Sequence, residues 1–214
     1  MKIGVLGGTF DPPHIGHLII AEEARVRLGL AKVVFVPSGR PWLKATRRVS
    51  AARHRVAMVR LAIASNPFFE LSTADIDRAG PSYTVDTLAD LRAQAGPRGQ
   101  RYFIMGCDAL LDLPRWHDPA RLVRMCRLVV ARRPEYDVPD LAFLDGAVAR
   151  GASRRVVLLD GPAVGVSASE LRRRVARGES IRYWVHEAVE EYIREHGLYV
   201  RTGGARKRRS EVRR

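Results

Sequence analysis

The chain has 214 residues, 46% of them hydrophobic and 28% charged, enough apolar surface to offset the ordering entropy of a full-sized core and to exclude disorder over the whole length. No apolar stretch approaches the ~20 residues that cross a bilayer, so a membrane protein is not expected. The net charge of +14 points at face value to nucleic acid or another polyanion, but residues 201–214 carry +6 of it, and only four of the 37 basic residues are lysine.

Residues 2–6 form an apolar run that stops at Gly7-Gly8, the pattern of a buried strand. Helical spacing runs over 15–28 and closes at Gly29, and residues 33–36 read as a second strand ended by Pro37-Ser38-Gly39. Ser50 is placed to cap a helix over 51–64, which Asn66-Pro67 terminates. Residues 68–71 read as a strand and 83–95 as a helix ending at Gly96-Pro97. Further strands are expected at 101–105, 127–131 and 155–159, and closing helices at 168–177 and 185–196. This alternation predicts an α/β fold with a doubly wound parallel sheet, Rossmann-like, in a single domain over residues 1–200. The composition of the basic tail, 201–214, predicts disorder. The N-terminus lacks the pattern of a signal peptide, and two cysteines, Cys107 and Cys126, cannot build a disulfide framework. A cytoplasmic location is therefore expected.

The loop after the first strand reads Gly7-Gly8-Thr9-Phe10-Asp11-Pro12-Pro13-His14-Ile15-Gly16-His17. In a parallel sheet it lies at a carboxyl strand end, where ligands bind. Gly7 and Gly8 permit close approach of a ligand and tolerate positive φ. His14 and His17, three apart, share a face of the first helical turn, and donors at the positive end of a helix suit phosphate. Gly16 is read as leaving room for the phosphates. Taken alone, a histidine pair also fits one ring that caps or packs and one that is exposed. A zinc pair lacks a third ligand at suitable spacing. Neither the G-x-G-x-x-G nor the Walker pattern is present.

The whole string resembles the signature of the H-x-G-H nucleotidylyltransferases, which join a nucleotide to a phosphorylated substrate and release pyrophosphate. Val166-Ser167-Ala168-Ser169-Glu170-Leu171-Arg172 resembles that superfamily's Ser-Ser-Thr-x-Ile-Arg segment, with Ala168 in place of a serine and Leu171 in place of isoleucine. By itself Ser167 with Glu170 reads as a capping box followed by a surface arginine. Asp75-Ile76-Asp77-Arg78, Gly80-Pro81-Ser82-Tyr83-Thr84, Gly106-x-Asp108 and Trp116-His117 are similar to stretches of the nicotinate-nucleotide adenylyltransferases, and the likeness runs from Met1 to about Val200. One departure is Leu43, where the family often has histidine before the lysine that is Lys44 here.

The resemblance implies adenylyl transfer from ATP to nicotinate mononucleotide, a step of NAD biosynthesis. It implies His14, His17, Lys44 and Arg172 as catalytic residues. Gly7, Gly8, Thr9, Phe10, His14, Gly16, His17, Gly106, Asp108, Ser167, Ser169 and Arg172 are implied on ATP. Lys44, Tyr83, Thr84, Trp116, His117 and Arg133 are implied on the mononucleotide. A tryptophan at position 116 would stack on the pyridine ring, and amides around Thr84 and His117 would receive its carboxylate. Mg²⁺ is expected mainly on the ATP phosphates, with no dedicated protein metal site. Two rivals stand beside this reading. One is another H-x-G-H enzyme acting on nicotinamide mononucleotide or phosphopantetheine. The other is a basic nucleic-acid-binding protein, against which the catalytic string argues, leaving at most a weak tail interaction. Homo-oligomerisation stays open.

Overall fold

The computed structural model describes residues 1–40, 49–95, 99–131, 140–162 and 164–200. Its first strand, β1 (Lys2–Gly8), is flanked on both sides by parallel strands. On one side lies β2 (Lys32–Pro37), in register from Ile3–Lys32 to Gly8–Pro37; on the other lies β4 (Gln100–Gly106), from Lys2–Gln100 to Leu6–Ile104. With β3 (Phe69–Leu71), β5 (Arg127–Ala131) and β6 (Val156–Leu159), the sheet is parallel throughout, in the order β3-β2-β1-β4-β5-β6. The direction of winding reverses between β1 and β4, and the crevice at that switch point is where open α/β sheets place ligands. All six predicted strands are present, with ends that differ by one or two residues.

Helices cover both faces, so the strands are apolar on both sides and lack a simple alternation. Five long helices follow the predicted ones: α1 (Ile15–Leu28), α2 (Ala52–Ile63), α4 (Thr84–Ala95), α8 (Ala168–Ala176) and α9 (Glu187–Glu195). Four short ones, α3 (Ala74–Asp77), α5 (Cys107–Leu111), α6 (Pro119–Met125) and α7 (Phe143–Ala147), were not anticipated. At four to seven residues they span two turns at most, too few for a helical period to register. One core packs Leu6, Phe35 and Ile104 against Ala21 and Ala24 of α1, Met58 and Val59 of α2, Leu171 of α8 and Val189 of α9. The other packs Val5, Val34, Phe103 and Val130 against Leu88 of α4, Leu110 of α5, Leu122 of α6 and Leu144 of α7.

Ser50 does not cap α2. The N-cap is Ala51, without a side-chain bond. The backbone of Ser50 is committed instead: its N–H donates to Asp11 Oδ2 at 3.1 Å and its carbonyl accepts from Arg55 Nε at 3.0 Å. Among the described residues no helix is long and apolar enough to cross a membrane. Lys44, Arg133 and the tail 201–214 lie outside the described residues.

Candidate active site

The first loop is held open by packing behind it. Gly7 and Gly8 belong to the extended end of β1, and neither uses the positive φ that glycine tolerates. Space is what requires glycine there. A Cβ at Gly7 would sit 3.3 Å from the Phe103 ring, and one at Gly8 would sit 3.1 Å from the Phe10 ring. The left-handed backbone falls on Phe10 itself, at φ 52°, with the Asp11–Pro12 bond cis just after it. Phe10 is buried against Phe35, with ring centroids 5.9 Å apart, and sets its ring edge-on to His17 at 5.0 Å. Its side chain therefore supports His17 from the core and presents no face to a ligand.

His14 is the N-cap residue of α1, with an extended backbone, and His17 is its third helical residue. The two rings stack at 3.7 Å with 28° between their planes. His17 Nδ1 accepts the backbone N–H of His14 at 3.1 Å. A neutral His17 thus carries its ring proton on Nε2, on the far side of the ring. Two backbone amides of this helix start are used internally: Ile15 N–H donates to the Trp184 carbonyl and His17 N–H to the His14 carbonyl, both at 2.9 Å. Gly16 is tightly packed. A Cβ there would lie 3.0 Å from Val166 Cγ1 and 3.2 Å from His14 Nδ1, so glycine lets the chain entering α8 close against α1.

That closure brings the second predicted segment to the first. Ser167 caps α8 by accepting Glu170 N–H at 3.2 Å. The reciprocal half of the expected capping box is replaced, because the Glu170 carboxylate pairs with Arg173 and Arg177. Arg172 is not a free surface arginine. Its Nη1 donates to the Asp11 carbonyl at 2.7 Å and its Nη2 to Ser169 Oγ at 3.2 Å. Arg172 is thereby fixed beside the first loop, 161 residues away in sequence.

Sequence reasoning missed the groups that hold this loop in place. Arg55 of α2 is 2% exposed. It donates to the carbonyls of Ser50, Thr9 (2.9 Å) and Ser38 (2.7 Å), and at 3.4 Å to that of Gly39. Burial pulls its guanidinium below the usual arginine value, and the nearby Asp11 carboxylate opposes this. Asp75, 4% exposed, receives the Gly39 N–H at 3.1 Å and the Thr87 hydroxyl at 2.7 Å, and it pairs with Arg78, which also reaches Asp90 at 2.5 Å. A Cβ at Gly39 would stand 2.3 Å from the Asp75 carbonyl, so only glycine allows this approach. The Asp75–Arg78 stretch, read from resemblance, is thus a buried anchor between the end of β2 and the start of α4. A buried, hydrogen-bonded arginine within a helix was the one signal available, and helical periodicity does not mark it.

Of the predicted mononucleotide residues that are described, two meet directly. Tyr83, just before α4, stacks on His117 at 4.1 Å with 20° between the rings. Trp116 follows a turn of 3₁₀ helix (Leu113–Arg115) and packs edge-on to Phe103 at 6.0 Å. Phe103, whose ring also bounds Gly7, therefore joins the two halves of the crevice. Thr84 opens α4, Gly106 ends β4, and Asp108 is exposed in the first turn of α5. Among the described residues, no three His, Cys, Asp or Glu side chains cluster as a metal site.

A cytidylyltransferase-like family model matches residues 5–174. A relative from Dehalococcoides mccartyi, named "probable nicotinate-nucleotide adenylyltransferase", is 45% identical over 201 residues, covering 94% of this chain and 98% of its own. One of the same name from Roseiflexus sp. is 48% identical over 199 residues, covering 92% and 97%. The fold is shared with Plasmodium falciparum nicotinic acid mononucleotide adenylyltransferase complexed with NaAD, at a TM-score of 0.74 and 19% identity over 92% of this chain and 97% of that one. With His14, His17 and Arg172 drawn together at the switch point of such a sheet, the chain belongs to the cytidylyltransferase-like family and, within it, to the nicotinate-nucleotide adenylyltransferases.

Proposed function

We propose that the chain transfers the adenylyl group of ATP to nicotinate mononucleotide, giving nicotinate adenine dinucleotide and pyrophosphate. The observation that carries the mechanism is the stacked His14–His17 pair at the start of α1, with Arg172 bound to the same loop. A phosphate oxygen of the mononucleotide attacks the α-phosphorus of ATP in line. The new P–O bond forms as the bond to the β-phosphate oxygen breaks, and the electron pair leaves with pyrophosphate. The nucleophile arrives ionised, so no general base is needed, and catalysis is positioning plus stabilisation of developing charge.

His14, His17, Arg172 and Lys44 supply the hydrogen-bond donors for the triphosphate, with the positive charge coming from Arg172 and Lys44. Arg172 does so with a planar fork suited to phosphate oxygens. Gly7, Gly8, Thr9, Gly16, Gly106, Asp108, Ser167 and Ser169 line the ATP side, and Phe10 holds His17 from behind. The donor set fits Mg²⁺ carried on phosphate oxygens and water, where the ion would disperse charge on the leaving group. Tyr83, Thr84, Trp116 and His117 serve the mononucleotide, whose flat ring suits aromatic faces, and resemblance adds Arg133 to them. A cytoplasmic setting agrees with the two buried cysteines, Cys107 and Cys126, neither of which is in a disulfide.

The test is pyrophosphate release from ATP with a panel of acceptors: nicotinate mononucleotide, nicotinamide mononucleotide and phosphopantetheine. Nicotinate mononucleotide should give the highest kcat/KM, and equal or better turnover of another acceptor would reassign the substrate. Trp116→Ala should raise KM for the mononucleotide about 10- to 100-fold, the scale of one lost stacking contact, with KM for ATP changed less than about 2-fold. Equal changes in both KM values would make Trp116 a packing residue only.

A further inference from the structure

The last described turn of the chain reaches back to the first loop. After α9, the backbone turns through Gly197 and Tyr199, both at positive φ (57° and 65°). For an aromatic residue the left-handed region is strained, and such strain persists where surrounding contacts over-determine the position. Here the contact is specific: the Tyr199 hydroxyl donates to Asp11 Oδ1 at 2.7 Å, across 188 residues of sequence. Asp11 is 3% exposed. Its other carboxylate oxygen takes the Ser50 N–H, and its backbone carbonyl is the acceptor that fixes Arg172. Burial, together with the Asp11 carboxylate, pushes the Tyr199 phenol well above its usual value, so it stays a donor at neutral pH.

We propose that Tyr199 is a positioning residue for adenylyl transfer, which by clasping Asp11 sets the carbonyl on which the Arg172 guanidinium is oriented toward the triphosphate. This rests on the reading of Arg172 as a triphosphate ligand. The hydroxyl is not what anchors the end of the chain, because α9 is already held by its buried Val189 and Ile193. A device that served only to tie down α9 would not need to end on the residue that receives Arg172.

The experiment compares Tyr199→Phe, Arg172→Ala and the double variant in the full chain, measuring kcat, both KM values and thermal unfolding. Tyr199→Phe keeps the ring and should remain folded. It should lower kcat about 10-fold, as expected when a charged group is slightly misplaced, while KM for the mononucleotide changes less than about 2-fold. In the Arg172→Ala background the same substitution should change kcat by less than about 2-fold, because coupled groups are non-additive. Wild-type kcat in Tyr199→Phe, an equal fractional loss in both backgrounds, or an unfolded Tyr199→Phe at the assay temperature would each overturn the proposal. Full activity of Arg172→Ala alone would instead overturn the role given to Arg172, and the positioning role would fall with it.

Discussion

Replacing His17 by alanine is expected to lower kcat about 10²–10³-fold, the cost of removing one preorganised donor to developing charge. The structure gives the imidazole a defined tautomer, since Nδ1 is occupied as acceptor for the His14 N–H and the proton stands on Nε2. Phe10 and the stacked His14 ring limit its rotation. Little reorganisation is then needed as charge moves onto the departing pyrophosphate. The same substitution leaves the His14 N–H without its acceptor, a capping loss worth about 1 kcal/mol. Turnover should therefore fall much further than stability. Steady-state pyrophosphate release, paired with a urea melt, separates the two. Turnover within about 3-fold of wild type would remove His17 from the catalytic set.

Arg55→Leu is expected to destabilise the fold by about 3–5 kcal/mol, the range seen when one partner of a buried charged network is removed. Leucine fills much of the space but donates nothing. The carbonyls of Thr9, Ser38 and Ser50 would then lose the donor that gathers them, each at a cost of about 1–3 kcal/mol. Relief of the guanidinium's own desolvation offsets part of that sum. Arg55→Lys should fare little better, since a single ammonium cannot span acceptors that the arginine fork reaches together. Because Thr9 lies in the first loop and Ser38 at the end of β2, activity should fall as well. The check is the shift of the urea midpoint at unchanged slope. A loss below about 1 kcal/mol would show that the loop is held by its backbone alone.

Much of this arrangement was legible before any tertiary contact was known. The six strands announce themselves by short apolar runs, those of β1, β2 and β4 ended at glycine or proline, and the long helices by their period. The spacing of His14 and His17 puts them on one face, and the string around them carries the resemblance. Local physics decides these features, because burial on both faces of a sheet and three-residue adjacency on a helix are written within a few positions of one another. The same locality explains where the sequence reading failed. Ser50 has the right side chain for a cap, yet its backbone is claimed by Asp11 and Arg55. At Gly7, Gly8 and Gly16 the sequence shows a missing side chain but not the neighbours, Phe103, Phe10 and Val166, that pack against the bare backbone.

What only the tertiary structure decided is how the site is held. Arg172 and Asp11 are 161 residues apart, Tyr199 and Asp11 are 188 apart, and Asp75 meets Gly39 across 36. No periodicity encodes such pairings. They exist because burying a charged or polar group is tolerable only when a specific partner meets it, and that partner is chosen by the path of the whole chain. By itself the sequence determined the sheet, the strand end that bears the loop and the two histidines on it. Resemblance named Arg172, and the fold decided what that arginine is tied to and which buried residues keep it there.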